Sequence, residues 1–277
     1  MTNETERARA FYEQVYDYDH PINYGGDKDS FEARNNPLRG VLGYWMAHLH
    51  IADEATVVEI GCGMGYLHVC HPNWHGIEYS STAVKRAKEM LGISLNIEQG
   101  DARCLPLESG SVDFLFSFAA LEHIPEVEGA FQEICRVLRP GGRALIGPAW
   151  NCRPWTVKKL QIRPYSDLSP LELIEKLLIP LRNNLVFRAI ISVPARIWRE
   201  LLYAFKCKVP LQYKRLSPDL SLNERYPHIS DDDAFVSMDA HAGLMYFLAE
   251  GWCSPSHQGF LRRIMMRGEE IVVVKPK

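Results

Sequence analysis

The chain lacks any apolar run of 18 residues, so no segment reads as a membrane span. Its opening residues, Met1-Thr2-Asn3-Glu4-Thr5-Glu6-Arg7, lack the apolar stretch of a secretory leader and the basic character of a transit peptide. Cysteine is present as an odd seven with no framework spacing, which excludes a disulfide scaffold and predicts reduced thiols in a cytoplasmic protein. No internal repeat or low-complexity segment is present. His68, Cys70, His71 and His75 stand close together but match no zinc spacing, so no metal is expected. The third glycine of a G-x-G-x-x-G dinucleotide fingerprint is also missing, because Tyr66 stands there.

What is present is an uneven charge distribution. The net charge of −3 is ordinary, but residues 153–217 hold 13 Lys/Arg against 4 Asp/Glu. That segment is therefore +9 and the remainder −12.

The most informative stretch is Val57-Val58-Glu59-Ile60-Gly61-Cys62-Gly63-Met64-Gly65, an apolar β-branched run leading through an acid to three alternating glycines. A second strand-like run ends on an acid at Gly76-Ile77-Glu78-Tyr79. A strand, a glycine turn and an acid at the next strand tip make a nucleoside half-site. Glycines let the backbone approach a ligand, and the acid can take ribose hydroxyls.

Three later segments narrow the choice: Gln99-Gly100-Asp101-Ala102, Ser111-Val112-Asp113-Phe114-Leu115-Phe116-Ser117-Phe118, and Arg136 through Ile146 around Pro140-Gly141-Gly142. With these, the chain resembles the class I S-adenosylmethionine-dependent methyltransferases, especially their small-molecule branch. The resemblance covers roughly residues 40–150 and the C-terminal strands. It implies S-adenosyl-L-methionine as cofactor, with Gly61, Gly63 and Gly65 near the methionine part, Glu59 at its ammonium and Glu78 on the ribose. It further implies Tyr79 against the adenine, Asp101 and Ala102 at the adenine edge, and Phe118 beside the sulfonium. Tyr79 and Phe118 read equally well as core residues.

Alternation of strands and helices predicts an α/β doubly wound, mostly parallel seven-stranded sheet. The expected division is a helical cap at 1–50, a Rossmann-like core at 51–150 and 233–277, and a basic, apolar insertion at 151–232 serving as substrate lid. Pro37 is expected in a first helical turn. Pro72 shortens the helix after Gly65, a departure from the family pattern. Strands near 252–264 and 269–275 are expected to form an antiparallel hairpin turning at Arg267-Gly268-Glu269.

His123, directly after the fourth strand, and His241, after the insertion, are the candidate general bases. The acids Asp231, Asp232 and Asp233 read as a solvated loop or helix cap. The leading expectation is methylation of a small molecule, on a hydroxyl oxygen of a sugar or secondary metabolite. A lipid-linked acceptor is the alternative, followed by a nucleic-acid methyltransferase and a non-catalytic cofactor-binding module. Nucleic acid fits poorly, because the insertion is rich in Leu, Ile, Val and Trp and carries no recognised binding motif. In segment 185–206, Arg188, Arg196, Arg199 and Lys206 fall opposite Phe187, Ile190, Val193, Ile197, Trp198, Leu201, Leu202 and Phe205. That pattern suits a soluble lid helix or a peripheral membrane contact. The sequence names neither the acceptor nor the oligomeric state.

Overall fold

The computed structural model describes residues 3–20, 22–24, 26 and 28–277. Helices α1 (Asn3–Val15) and α2 (Lys28–His48) precede the sheet. Strand β1 (Val57–Ile60) leads through a short 3-10 turn, Tyr66–Cys70, to β2 (Trp74–Glu78). The shortened first crossover is thus as expected. α3 (Ser81–Leu91), β3 (Ile97–Gln99), β4 (Val112–Phe118), α4 (Val127–Val137) and β5 (Leu138–Gly147) follow. Ser80 caps α3 by accepting from the Ala83 amide.

The insertion folds into α5 (Pro170–Leu177), α6 (Ile179–Asn183), α7 (Leu185–Ala204) and a short strand β6 (Tyr213–Arg215). β6 pairs antiparallel with β7 (Val236–Met238), which ends the insertion. α8 (Ala240–Ala249), α9 (Phe260–Met265) and β8 (Ile271–Val274) close the chain.

The main sheet has the order β3-β2-β1-β4-β5-β8. All neighbours are parallel except β8, which runs antiparallel to β5. One face packs on α4 and α8 through Phe131, Ile134, Leu244 and Phe247. The other packs on α2 and α3 through Leu42, Met46 and Ala87. β4 is buried along almost its whole length, as a central parallel strand between two helical layers must be.

Three expectations need correction. The main sheet has six strands among the described residues, not seven. The outer arm of the expected hairpin shrinks to a single bridge between Cys253 and Val274, and residues 260–265 turn into α9. The reason lies in Ser254, Ser256 and His257. The Ser254 hydroxyl donates to the Val272 carbonyl and the Ser256 hydroxyl accepts from the Val272 amide, so side chains take the place of a backbone ladder. Pro37 lies inside α2 rather than at its start, and the helix carries the missing backbone donor.

Candidate active site

The sheet order reverses between β1 and β4, and open α/β sheets bind ligands at the carboxyl edge of such a switch point. A cleft of about 730 Å³ lies there. Its floor is Ile60, Gly61, Ile77, Glu78, Tyr79, Asp101 and Ala102 from the strand tips, with Ala119, Ala120 and His123 after β4. Its roof is α1, through Thr5, Ala8, Tyr12 and Tyr16.

The sequence dictates that close approach. Gly61 holds φ +70°, and a Cβ there would fall 2.3 Å from the Ala120 Cβ. Ala119 itself sits at φ +46°, a left-handed conformation disfavoured for a residue with a side chain. The two loops that end β1 and β4 therefore meet with no room for a side chain at Gly61.

Glu78 is buried, and each of its oxygens receives one backbone amide, Gly63 at 2.8 Å and Ser80 at 2.9 Å. Each oxygen keeps a lone pair for a ligand hydroxyl. Burial pushes the Glu78 carboxyl up, while the amides of Ser80 and Gly63 pull it back. Beside it, Ile77, Ala102 and Tyr79 form an apolar slot. A carboxylate with open lone pairs next to such a slot fits the ribose and adenine of S-adenosylmethionine.

Asp101 lines the cleft, but both its oxygens accept from the Arg103 side chain at 2.6–3.2 Å. Burial opposes its charge, and Arg103 outweighs burial, holding its carboxyl below the ordinary value. Asp101 therefore fixes the turn and has little acceptor capacity left for an adenine amino group.

Gly61, Glu78, Tyr79, Asp101, Ala102 and His123 are thus brought together. Glu59, Gly63, Gly65, Phe118 and His241 are not cleft-lining. Glu59 faces the layer below and accepts from Trp74 Nε1 at 2.9 Å; burial raises its pKa to about 8. Gly63 stands behind Glu78 as an amide donor. Gly65, at φ +70°, abuts Leu95 and Trp74 in the core. Phe118 packs on Phe116 within the core, the two rings tilted by 51°. His241 is fully buried under α7, with Nε2 3.2 Å from Glu200 Oε1. Desolvation lowers its pKa to about 4, so it is neutral and out of reach of any acceptor.

His123 is placed differently. Its Nδ1 is buried 3.5 Å from Asp233 Oδ1, and its Nε2 lies 3.7 Å from Glu122 Oε1. Burial disfavours the imidazolium, but Asp233 and then Glu122 outweigh it and raise the His123 pKa. Asp233 Oδ2 also accepts from the Tyr12 hydroxyl at 2.8 Å and the Tyr24 hydroxyl at 2.9 Å. Tyr24 meets His228 Nε2 at 3.1 Å, and His228 Nδ1 lies 2.8 Å from Asp232. Lys159 Nζ closes the chain at 2.8 Å from Asp232.

The acid cluster is therefore no solvated loop: Asp232 and Asp233 are 2% and 1% exposed. Sequence reading missed the buried network of Tyr24, His228, Asp232 and Asp233 behind His123, none of which lines the cleft itself. The only signal was three consecutive acids in a chain segment otherwise dominated by cations. None of the cleft lining comes from residues 151–232, and α1 forms the roof. Glu13 ties α1 down by accepting from the Ser81 and Thr82 amides and hydroxyls at the start of α3.

Residues 58–146 match the family described as a methyltransferase domain. The chain is 34% identical over 110 residues to a sterol 24-C-methyltransferase of Pneumocystis carinii, covering 36% of this chain and 29% of that protein. It is 34% identical over 119 residues to a ubiquinone biosynthesis O-methyltransferase of Cupriavidus pinatubonensis, covering 40% and 47%. The match spans less than half the length of these curated relatives. A solved protein of Pyrococcus horikoshii OT3 aligns over 100% of both chains at 14% identity, with a TM-score of 0.48.

Proposed function

We propose that this chain, whose residues 58–146 match a methyltransferase domain, transfers the methyl group of S-adenosylmethionine to a hydroxyl oxygen of a small molecule. The observation that carries this reading is His123, on the cleft wall with Nδ1 turned to Asp233. Bound S-adenosylmethionine supplies an activated methyl group, so the protein's own residues need only position an acceptor and take its proton. A hydroxyl is a poor nucleophile while protonated, and His123, which lines the cleft, is the base that accepts its proton. Asp233 orients the ring and stabilises the imidazolium that forms. Tyr12 and Tyr16 line the same cleft, and the Tyr12 hydroxyl donates to Asp233, holding the carboxylate behind His123.

The test is incubation of the protein with a cell extract and methyl-labelled donor, followed by mass spectrometry of the products. An O-methylated small molecule is expected. His123→Ala should lower its formation by roughly 10²–10⁴-fold while S-adenosylhomocysteine binding is kept. Full turnover in His123→Ala would remove the base assignment.

A lipid-linked acceptor is the second reading, favoured by the exposed apolar face of α7. It is distinguished by the labelled product partitioning into the organic phase of the same extract.

A further inference from the structure

Helix α7 is built the wrong way round for a helix packed only on its own protein. Its charged residues face inward. Arg196 is 8% exposed, donates to both oxygens of Asp239 at 2.9 and 2.6 Å, and also bonds the carbonyls of Ile264 and Met266. Arg199 is 7% exposed and bonds Gln212 and Asp239. Glu200, 6% exposed, accepts two 2.6 Å bonds from Arg263. Breaking a buried pair of this kind is strongly unfavourable, so the network fixes the rotation of α7 about its axis.

The opposite face is apolar and bare. Ile190, Trp198 and Phe205 are 66%, 59% and 77% exposed. They recur at helical spacing, so they share one side. α9, packed beside α7, adds Leu261 and Met265 at 74% and 70% exposure. α5 and α6, joined to α7 in sequence, extend the same apolar character with the exposed Leu171 and Leu177 of α5 and Leu181 of α6. Monomeric soluble proteins rarely leave so extended an apolar surface uncovered.

The surrounding charge says what covers it. Residues 178–217 hold eight Lys/Arg and one acid, Glu200, which is buried. Residues 251–268 hold three arginines and no acid. Lys206, Lys208, Arg262 and Arg267 are exposed. The rim is therefore cationic, with no exposed carboxylate in either segment. A symmetric second copy would set this rim against itself, like charge on like charge. An anionic bilayer surface satisfies both features, taking the apolar side chains at the acyl boundary and the cations at the headgroups. Among the described residues no helix is long and apolar enough to cross a membrane, so α7 lies in the plane of the interface.

We propose that the α7–α9 face docks this protein on an anionic membrane surface. The docking stands on this geometry alone and does not depend on which acceptor is methylated. The test is flotation of the full chain with vesicles of phosphatidylcholine alone and of an equal mixture of phosphatidylcholine and phosphatidylserine, at low and high salt. The protein should float with the mixed vesicles, be released by salt, and stay behind with phosphatidylcholine. The double variant Trp198→Asp/Phe205→Asp should lower partitioning by about tenfold or more, because it places two anions at the apolar contact. Both positions are exposed, so circular dichroism and the thermal midpoint should match the parent, and that comparison excludes misfolding. Failure of the parent to float with mixed vesicles overturns the proposal. So does unchanged partitioning of the folded double variant. A dimer seen by light scattering and dissociated by the same variant overturns it in favour of self-association.

Discussion

Asp233 Oδ1 lies 3.5 Å from His123 Nδ1, although α4, β5 and the whole insertion separate the two residues in the chain. The acid arrives with the chain as it re-enters the core before β7, and the histidine follows β4 directly. The Asp233 amide belongs to a segment held at Phe235, whose N–H donates to the Glu122 carbonyl at 2.9 Å. The pairing is thus fixed by backbone next to both residues.

That pairing predicts a pH dependence. A base works when deprotonated, so activity should rise with pH through the His123 pKa. Asp233 and Glu122 raise that pKa despite burial, which places the acidic limb above the ordinary histidine value of about 6.5. Asp233→Asn removes one stabilising carboxylate, lowers the pKa and moves the limb to lower pH. A rate profile whose limb stays put in Asp233→Asn contradicts the assignment.

Glu78 should dominate nucleoside affinity. Glu78→Ala removes a charged acceptor from the ribose position, at a cost of roughly 1.5–3 kcal/mol per lost hydrogen bond. Calorimetry with S-adenosylhomocysteine should show the loss, and the parent should show no comparable binding of NAD. Unchanged affinity in the variant would place the ribose elsewhere.

Glu59 should make the fold less stable as pH rises. Its pKa is raised to about 8 by burial, above the unfolded value of 4.5. The unfolded chain therefore releases this proton first, and the contribution present below about 4.5 is lost as pH rises through about 8. Glu59→Gln can still accept from Trp74 Nε1 and has no charge to bury. Its thermal midpoint should gain on the parent progressively from pH 5 to pH 8. A gain that is flat across this range contradicts the shift.

Asp239 should be a stability residue rather than a catalytic one. It caps α8 by accepting from the His241 amide and holds Arg196 and Arg199. Asp239→Ala leaves two buried guanidinium groups short of a partner, at a cost of about 3–5 kcal/mol. Urea unfolding should show that loss. Burial raises the Asp239 pKa, but Arg196 and Arg199 outweigh it and lower the value. The contribution is therefore present above the unfolded pKa and fades as pH falls through the folded one.

The sequence by itself determined the local elements of this protein. The run Val57–Gly65, the acid at Glu78 and the apolar strand at 112–118 specify strands, a tight turn and a nucleoside half-site, because side-chain period and glycine freedom act over a few residues. It also gave His123 its position at the mouth of the cleft. What only the tertiary structure decided were pairings between distant segments. Asp233 looked like one of three solvated acids until the insertion's return brought it beneath Tyr12 and Tyr24. His241 looked like a base until α7 covered it. The amphipathic pattern of α7 was legible, but not which side faced the protein. A helical wheel separates two faces and assigns neither to the core; here the buried ion network of Arg196, Arg199 and Glu200 took the inner side and left Ile190, Trp198 and Phe205 outside.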